Sequence, residues 1–278
     1  MLVLPLLLLP LAAGPPPTAL APAVLLQEPE DLDDLFEEFR DKLKGKGEEG
    51  RCLQILDELV QRHRAAAERI QEIDELLEIG EGKASDLKKE KKALRKKQAE
   101  IARVVWDVFV ARKRPTEPNL RLWKAAVYAY GQMGEDGPPY LWRAFEDKRF
   151  NRDVEFRALC VEQVGYTKDY SQWKELVDLL DYKDEGVIAA AGNALAQFGD
   201  APGAIRRDCV EVLVKRLESY HNRASNLEDT TSARIYGVVR EPMIRALSVL
   251  TGQNLRDPLD WTKWWNNNKN DRSLWRDR

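Results

Sequence analysis

The sequence holds few of the side chains that most often carry catalysis or bind metal ions. It has two histidines, His63 and His221, and three cysteines, Cys52, Cys160 and Cys209. No CxxC, HExxH or clustered His/Cys pattern occurs, so we expect no metal site. Nucleotide-binding and hydrolase fingerprints such as a P-loop or GxSxG do not occur either. The sequence therefore favours a protein that is not an enzyme and uses no cofactor.

The environments of these residues favour structural roles. Cys160 and Cys209 lie in apolar helical patterns, which are typical of buried free thiols. A disulfide between two of the three cysteines is the alternative, and an exported protein would permit it. His63 falls on an apolar heptad seam with no second histidine nearby. This favours a partly buried helical histidine over a metal ligand or a pH switch.

Seven tryptophan, arginine and lysine residues are candidate contacts for a protein or peptide partner. Tryptophan and arginine dominate the energy of protein interfaces. All seven lie in segments that we predict to be the second helices of stacked helix pairs, which would line a concave face. A position in the core is the alternative for the two tryptophans. The candidates are Trp142, Arg143, Trp173, Lys174, Arg206, Arg207 and Lys215.

The overall charge of the protein argues against a dedicated nucleic-acid binder. The net charge is -3 and the pI is near 5.7, whereas such a domain is normally clearly basic. The segment 83–97 is locally basic, but Arg95 is its only arginine and it has no aromatic platform for bases. We interpret it as a solvated helix face. A surface for a polyanion or a membrane is the alternative.

The elements that position the seven candidates repeat along the sequence. The segment 123–135 matches the segment 188–200 at several alanines and at the final glycine, and 156–165 is a weaker copy. Recurrence at this interval is typical of stacked helix pairs, none of which buries its apolar face alone. Glycines close to the end of each first helix suggest left-handed caps. These glycines are Gly134, Gly165, Gly199 and Gly252.

Turn residues divide the repeat region into four helix pairs and one polar insertion. The insertion, 220–231, is interpreted as a surface loop, with a binding feature as the alternative. The four pairs are 119–132 with 139–148, 153–164 with 170–181, 185–198 with 201–219, and 232–251 with 258–267.

The spacing and the alanine-rich first helices resemble HEAT repeats. The segment 250–265, LTGQNLRDPLDWTKWW, is similar to the ending of exported bacterial HEAT-type proteins of the planctomycete kind. The resemblance implies an α-α superhelix that binds other proteins. Some HEAT-like proteins are lyases or DNA-repair glycosylases, so an enzyme of that kind is the lower-ranked alternative. We expect Trp261, Trp264 and Trp265 to close the stack, with sugar stacking or a cation cage as the alternative.

The segments before the repeats have three different characters. Residues 1–21 are expected to be a signal peptide, which implies export to the periplasm or beyond; with a non-functional leader the protein would be cytoplasmic. Residues 22–50 form an acidic arm with an amphipathic helix and a flexible linker. No later segment has the length and apolarity of a membrane span. Leu32, Leu35, Phe36 and Phe39 would form the apolar face of the arm's helix.

Residues 51–114 contain two heptad seams of equal length joined by a short turn, which predicts an antiparallel coiled-coil hairpin. Gly80 would end the first helix and Ser85 would cap the second. If Ile55, Val104 and Phe109 formed an exposed apolar stripe, the hairpin could self-associate into an envelope structural protein, which is the alternative function. The predicted fold is thus all-α: this hairpin, then about four HEAT-like repeats over 115–278, closed by the tryptophan-rich cap.

Overall fold

The computed structural model describes residues 29–226 and 228–277. All regular secondary structure within these residues is helical, which confirms the all-α class. None of the described helices combines the length and the apolar character that a membrane crossing requires. The signal peptide expected at 1–21 and the first residues of the acidic arm lie outside the described residues.

Most helices begin and end near the turn residues that the sequence suggested. Short 3-10 turns occur at Gly134–Asp136, Lys148–Phe150, Tyr170–Gln172 and Leu179–Asp181. The α-helices are α1 Pro29–Lys44, α2 Glu49–Ile79, α3 Ala84–Val105, α4 Asp107–Ala111, α5 Glu117–Gly131, α6 Pro138–Phe145, α7 Val154–Tyr166, α8 Trp173–Asp178, α9 Glu185–Leu195, α10 Gly203–Ala224, α11 Thr230–Thr251 and α12 Pro258–Asn268.

Helix α1 is amphipathic and packs its apolar side against α2 and α4. The four residues predicted to form that side, from Leu32 to Phe39, are all buried. Arg51 on α2 holds Glu38 through two hydrogen bonds of 2.7 Å. Between α1 and α2, the carbonyl oxygen of Gly45 accepts a hydrogen bond from Arg112 at 2.8 Å. The acidic arm therefore belongs to the body of the protein from α1 onward.

Helices α2 and α3 are joined by polar contacts along their length. Arg69 donates to Glu90 at 2.8 Å, Lys91 pairs with Asp74, and Gln98 donates to the carbonyl oxygen of His63 at 3.2 Å. Gly80 ends α2 in the left-handed conformation, as expected. The expected cap at Ser85 is wrong, because α3 already begins at Ala84 and Ser85 donates to Asp86 instead.

The middle of α2 is connected to the repeat region through a buried histidine. His63 is 3% exposed, and its Nε2 lies 2.9 Å from Oδ2 of Asp136, which follows α5. One cluster of buried hydrophobic residues continues from α1 to α12. Ile55, Val104 and Phe109 belong to this cluster, so they do not form the exposed apolar stripe that self-association would require. These residues are covered by the repeat region and by α1.

The first helices of the repeat region approach one another closely. A Cβ at Gly165 would lie 2.5 Å from Cα of Ala194, and a Cβ at Gly192 would lie 3.0 Å from Cβ of Pro242. Of the four expected left-handed caps, Gly134 and Gly252 have positive φ, whereas Gly165 and Gly199 do not. Gly165 is instead needed because only a residue that lacks a Cβ lets α7 and α9 approach this closely.

The polar insertion expected at 220–231 is mostly helical. Helix α10 continues to Ala224 and α11 begins at Thr230, so the loop is much shorter than the sequence suggested. Tyr220 is buried, and its hydroxyl donates to the carbonyl oxygen of Leu180 at 3.0 Å. This contact anchors the end of α10 on the short turn Leu179–Asp181.

Candidate functional site

The structure places three of the candidate contact residues beside aromatic neighbours. Trp142 on α6 is half-buried, and its Nε1 donates to Oε1 of Gln172 at 2.9 Å, one residue before Trp173. The guanidinium of Arg143 lies 4.3 Å from the centre of the Trp106 ring. The ammonium of Lys174 lies 5.6 Å from the centre of the Trp173 ring. Both tryptophans pack against the core while Arg143 and Lys174 remain exposed.

Arg206 is buried, so the prediction that it contacts a partner on the surface is wrong. Its side chain is 1% exposed. Nε donates to the carbonyl oxygen of Ala201 at 3.0 Å, Nη1 to that of Leu250 at 3.2 Å, and Nη2 to that of Arg276 at 2.5 Å. Arginine suits this position because its planar donors reach several acceptors at once. Arg206 therefore joins α10, the end of α11 and the C-terminal tail.

Arg207 and Lys215, the remaining two candidates, lie on one groove between α10, α12 and the C-terminal tail. The groove consists of two adjoining hollows of about 390 and 460 Å³. Both hollows are lined by Arg207, Lys269 and Asn270. We call this surface the basic groove and define it by Arg207, Lys215, Trp265, Lys269, Arg272 and Trp275.

Tryptophan rings form the apolar part of the basic groove. The Trp275 ring lies edge-on to Trp265, with ring centres 6.0 Å apart, and edge-on to Trp264 at 6.3 Å. Trp261 is fully buried and Trp265 is 7% exposed, and both belong to the main cluster of buried hydrophobic residues. Trp275 adds a ring from the tail, where its Nε1 donates to the carbonyl oxygen of Asn268 at 3.3 Å.

The rim of the basic groove carries net positive charge, because its four lysine and arginine side chains outnumber the two carboxylates, Glu211 and Glu218, that line the same surface. Lys215 donates to Glu211 at 2.6 Å. This hydrogen bond lowers the pKa of Glu211; burial opposes the shift, and the positive charges of Lys215, Arg207 and Lys269 reinforce it. Within residues 29–226 and 228–277, Lys269 and Arg272 form no ion pair, and both are exposed. The groove can therefore offer charged donors to carboxylates.

The cysteines show no arrangement suited to nucleophilic chemistry. All three are free and buried, which confirms buried thiols for Cys160 and Cys209. Burial raises the pKa of the Cys209 thiol to about 12 and also raises the pKa of Cys160. A thiol with a raised pKa remains protonated and is a poor nucleophile at neutral pH. The described residues contain no group of three or more His, Cys, Asp or Glu side chains placed to hold a metal ion.

Sequence reasoning missed the part of the groove that comes from the tail. Lys269, Arg272 and Trp275 follow the last predicted helix, where the periodic pattern has ended. The only available signal was the recurrence of basic residues and a tryptophan in the segment 269–276. It does not indicate where the segment packs. Neither a protein-family model nor a curated protein nor a solved structure matches this protein.

Proposed function

We propose that this protein is a non-catalytic scaffold that binds another protein or peptide, and that the basic groove receives an acidic segment of that partner. The observation that carries the proposal is the exposed positive rim beside the tryptophans of α12 and the tail. Arg and Lys donors form their strongest hydrogen bonds with carboxylates. Aromatic rings add contact area at little cost in conformational entropy.

The scaffold is proposed to be an α-solenoid of four HEAT-like repeats, with the second helices on its concave face. Support comes from the packing order: α5 contacts α7, α7 contacts α9 and α9 contacts α11, while α8 contacts α10 and α10 contacts α12. Such nearest-neighbour packing is characteristic of repeat proteins. The α2–α3 pair is proposed to be a coiled-coil hairpin, supported by the Arg69–Glu90 and Lys91–Asp74 pairs.

The remaining candidate residues would extend the contact surface beyond the groove. Trp142 and Trp173 are linked through Gln172, and Arg143 and Lys174 lie exposed next to aromatic rings. A partner that contacts both the basic groove and the surface around Trp142 and Trp173 would gain binding free energy from each, so neither contact would need high affinity alone. We propose that the partner is encountered after export, because residues 1–21 have the composition of a signal peptide.

The test is a double charge reversal in the groove. Proteins captured by the wild-type protein from an envelope extract are identified. The captured protein with the highest enrichment is then purified and titrated against wild type and R207E/K269E. The double reversal is expected to weaken binding at least tenfold, which corresponds to about 1.4 kcal/mol. K263E is the matched control, because Lys263 is an exposed lysine on α12 outside the groove. Equal binding by wild type and R207E/K269E would reject the assignment of the groove.

Self-association through the α2–α3 pair receives no support from the apolar residues first considered for it. Ile55, Val104 and Phe109 are all buried within the same molecule. A dimer built on them would require the body of the protein to open. The function proposed above therefore rests on surfaces that are already exposed.

A further inference from the structure

The outer part of the α2–α3 pair has a small apolar core of its own. Its buried residues, Ala66, Ile70, Ile73 and Leu94, form a cluster that is separate from the main cluster of the protein. We call residues 66–97 the distal hairpin. Because these apolar side chains lie between the two helices, each helix directs the opposite side of its surface to solvent. Both outer faces of the distal hairpin are therefore exposed to other molecules.

The outer face of α3 is basic. Lys88, Lys89, Lys92 and Lys96 recur at intervals of three and four residues, which places them on one side of the helix, opposite the buried Leu94. All four lysines are exposed, and none of them forms an ion pair within the described part of the chain. We call these four lysines the basic face. It extends over about 12 Å of helix and its charge is not neutralised within the molecule.

The outer face of α2 is acidic. Glu68, Glu72 and Glu75 recur at intervals of four and three residues, on the side of the helix opposite the buried Ile70. All three carboxylates are exposed. Glu72 accepts a hydrogen bond from Arg69 at 2.9 Å, whereas Glu68 and Glu75 form no ion pair among the residues that the structure describes. We call these three glutamates the acidic face.

The two faces lie at the same height along the distal hairpin. Arg69 on α2 donates to Glu90 on α3 at 2.8 Å, and Asp74 on α2 pairs with Lys91 on α3. The segment that carries the acidic face therefore runs beside the segment that carries the basic face. On both helices successive charges are separated by one helical turn, or about 5.4 Å. The two sets of charges thus match in position and in spacing, but they point away from each other.

A second copy of this protein offers a matching partner for each face. When two distal hairpins lie side by side and point in the same direction, the basic face of one meets the acidic face of the other at the same height. One two-fold interface cannot use both faces, because they lie on opposite sides of the hairpin, so the contact is heterologous. A polyanion or an anionic membrane would match the basic face alone, and the net charge of -3 opposes its approach.

We propose that copies of this protein associate head to tail through the distal hairpin, with the basic face of one copy on the acidic face of the next. An exposed ion pair contributes little by itself, so the association depends on several pairs and weakens with salt. Ile79 is 68% exposed one turn beyond Glu75, on the same side of α2, and the neighbouring α3 covers it. The proposal goes beyond the scaffold function, because it concerns how copies of the scaffold are arranged and needs no buried apolar residue.

The test is sedimentation equilibrium of the full-length protein at about 0.01 M and about 1 M salt, where the Debye lengths are about 30 and 3 Å. Wild type is expected to associate at low salt, and high salt should weaken the association at least tenfold. Two variants reverse one face each: K89E/K92E/K96E and E68K/E72K/E75K. Each should weaken self-association at low salt at least tenfold. K148E/K183E/K263E is the matched control, because it changes the net charge equally at exposed lysines outside the hairpin.

An equimolar mixture of the two face-reversed variants tests the pairing itself. One variant has two acidic faces and the other has two basic faces, so the mixture should associate although neither variant does so alone. A wild-type protein that stays monomeric at low salt, a face-reversed variant that associates like wild type, or a mixture that fails to associate would overturn the proposal.

Two further measurements separate this contact from other uses of the same surfaces. Vesicles of phosphatidylglycerol that bind a monomeric wild-type protein, but not K89E/K92E/K96E, would assign the basic face to an anionic membrane and overturn the proposal. R207E/K269E should associate like wild type, because both substitutions lie in the basic groove. Failure of the basic groove to bind a partner would therefore leave the result for the distal hairpin unchanged.

Discussion

The backbone N–H of Gly203 donates to the carboxylate of Asp277 at 2.7 Å, which joins the start of α10 to the C-terminal tail. The backbone of the tail lies so close that a Cβ at Gly203 would be 1.9 Å from the carbonyl oxygen of Trp275. A carboxylate at the N-terminus of a helix is stabilised by the free N–H groups there. The same contact positions Trp275, and with it one wall of the basic groove.

Replacing Gly203 by alanine should release the tail. The added methyl group would meet backbone atoms of Trp275 and Arg276, which cannot rotate away as the end of a flexible side chain would. We expect a loss of about 1–3 kcal/mol in the free energy of unfolding, together with faster amide exchange in 271–277. The measurements are urea denaturation and hydrogen exchange.

The control for G203A is G237A. Gly237 lies in the interior of α11, and a Cβ added there would meet no neighbouring residue within 4 Å. Alanine favours a helix over glycine by about 0.5–1 kcal/mol, so G237A should stabilise the protein. An equal effect of the two variants would contradict the close contact between Gly203 and the tail.

The buried guanidinium of Arg206 should be far more sensitive to substitution than its neighbour Arg207. R206M leaves the carbonyl oxygens of Ala201, Leu250 and Arg276 without these donors. We expect it to lower the free energy of unfolding by about 3–5 kcal/mol, as for a broken buried network. R207M should change it by about 0.5 kcal/mol or less, because Arg207 is exposed. Similar values for both variants in guanidinium denaturation would show that Arg206 is not buried.

Asp147 should make stability depend on pH in the acid range. Burial raises its pKa, but hydrogen bonds from the side chain and backbone of Arg149 outweigh burial, so the net shift is downward. Arg149 also donates to the carbonyl oxygen of Arg112 at 2.8 Å. A carboxyl with a lowered folded-state pKa stabilises the protein above its unfolded pKa of about 3.9, and this contribution is lost as the pH falls through the folded value.

The corresponding experiment compares wild type with D147N between pH 2 and pH 7. D147N should be less stable at pH 7 by about 1–3 kcal/mol. The difference should shrink as the pH falls below about 4. D33N, at an exposed position on α1, is the control. A difference between wild type and D147N that stays constant down to pH 2 would contradict the downward pKa shift.

The three cysteines should be unreactive in the folded protein. Burial raises the pKa of each thiol, and each side chain is inaccessible. A thiol reagent at pH 8 should modify Cys52, Cys160 and Cys209 only as the protein unfolds, and all three should react in guanidinium chloride. Only one reactive thiol in the unfolded protein would reveal a disulfide between the other two.

The all-α class and the positions of most helices could be predicted from local signals. Pro258 begins α12 and Gly80 ends α2, as proline and glycine do at such positions. The charge of Arg206 suggests a surface position, but the residue lies three and four positions before Cys209 and Val210, on the buried stripe of α10. At this position the helical periodicity indicates burial better than the charge indicates exposure.

The parts that could not be predicted depend on contacts between distant residues. The tail reaches Gly203 across more than seventy positions in the sequence, and no local pattern encodes that distance. Gly165 was expected to cap a helix, because the sequence does not reveal that Ala194 would lie against it. The hollow lined by Arg64, Gly131 and Tyr166 likewise forms only when α2, α5 and α7 come together.

The most direct test of the central claim is site-specific photocrosslinking in the basic groove. A benzophenone amino acid replaces Asn270, which lines both hollows of the groove, or Asn267, an exposed position on α12 that lines neither. Each protein is illuminated in an envelope extract, with and without an excess of poly-glutamate. We predict a discrete cross-linked partner from position 270 that poly-glutamate suppresses, and none from position 267. Identical products from both positions, or a product from position 270 that poly-glutamate leaves unchanged, would contradict a groove that binds acidic segments.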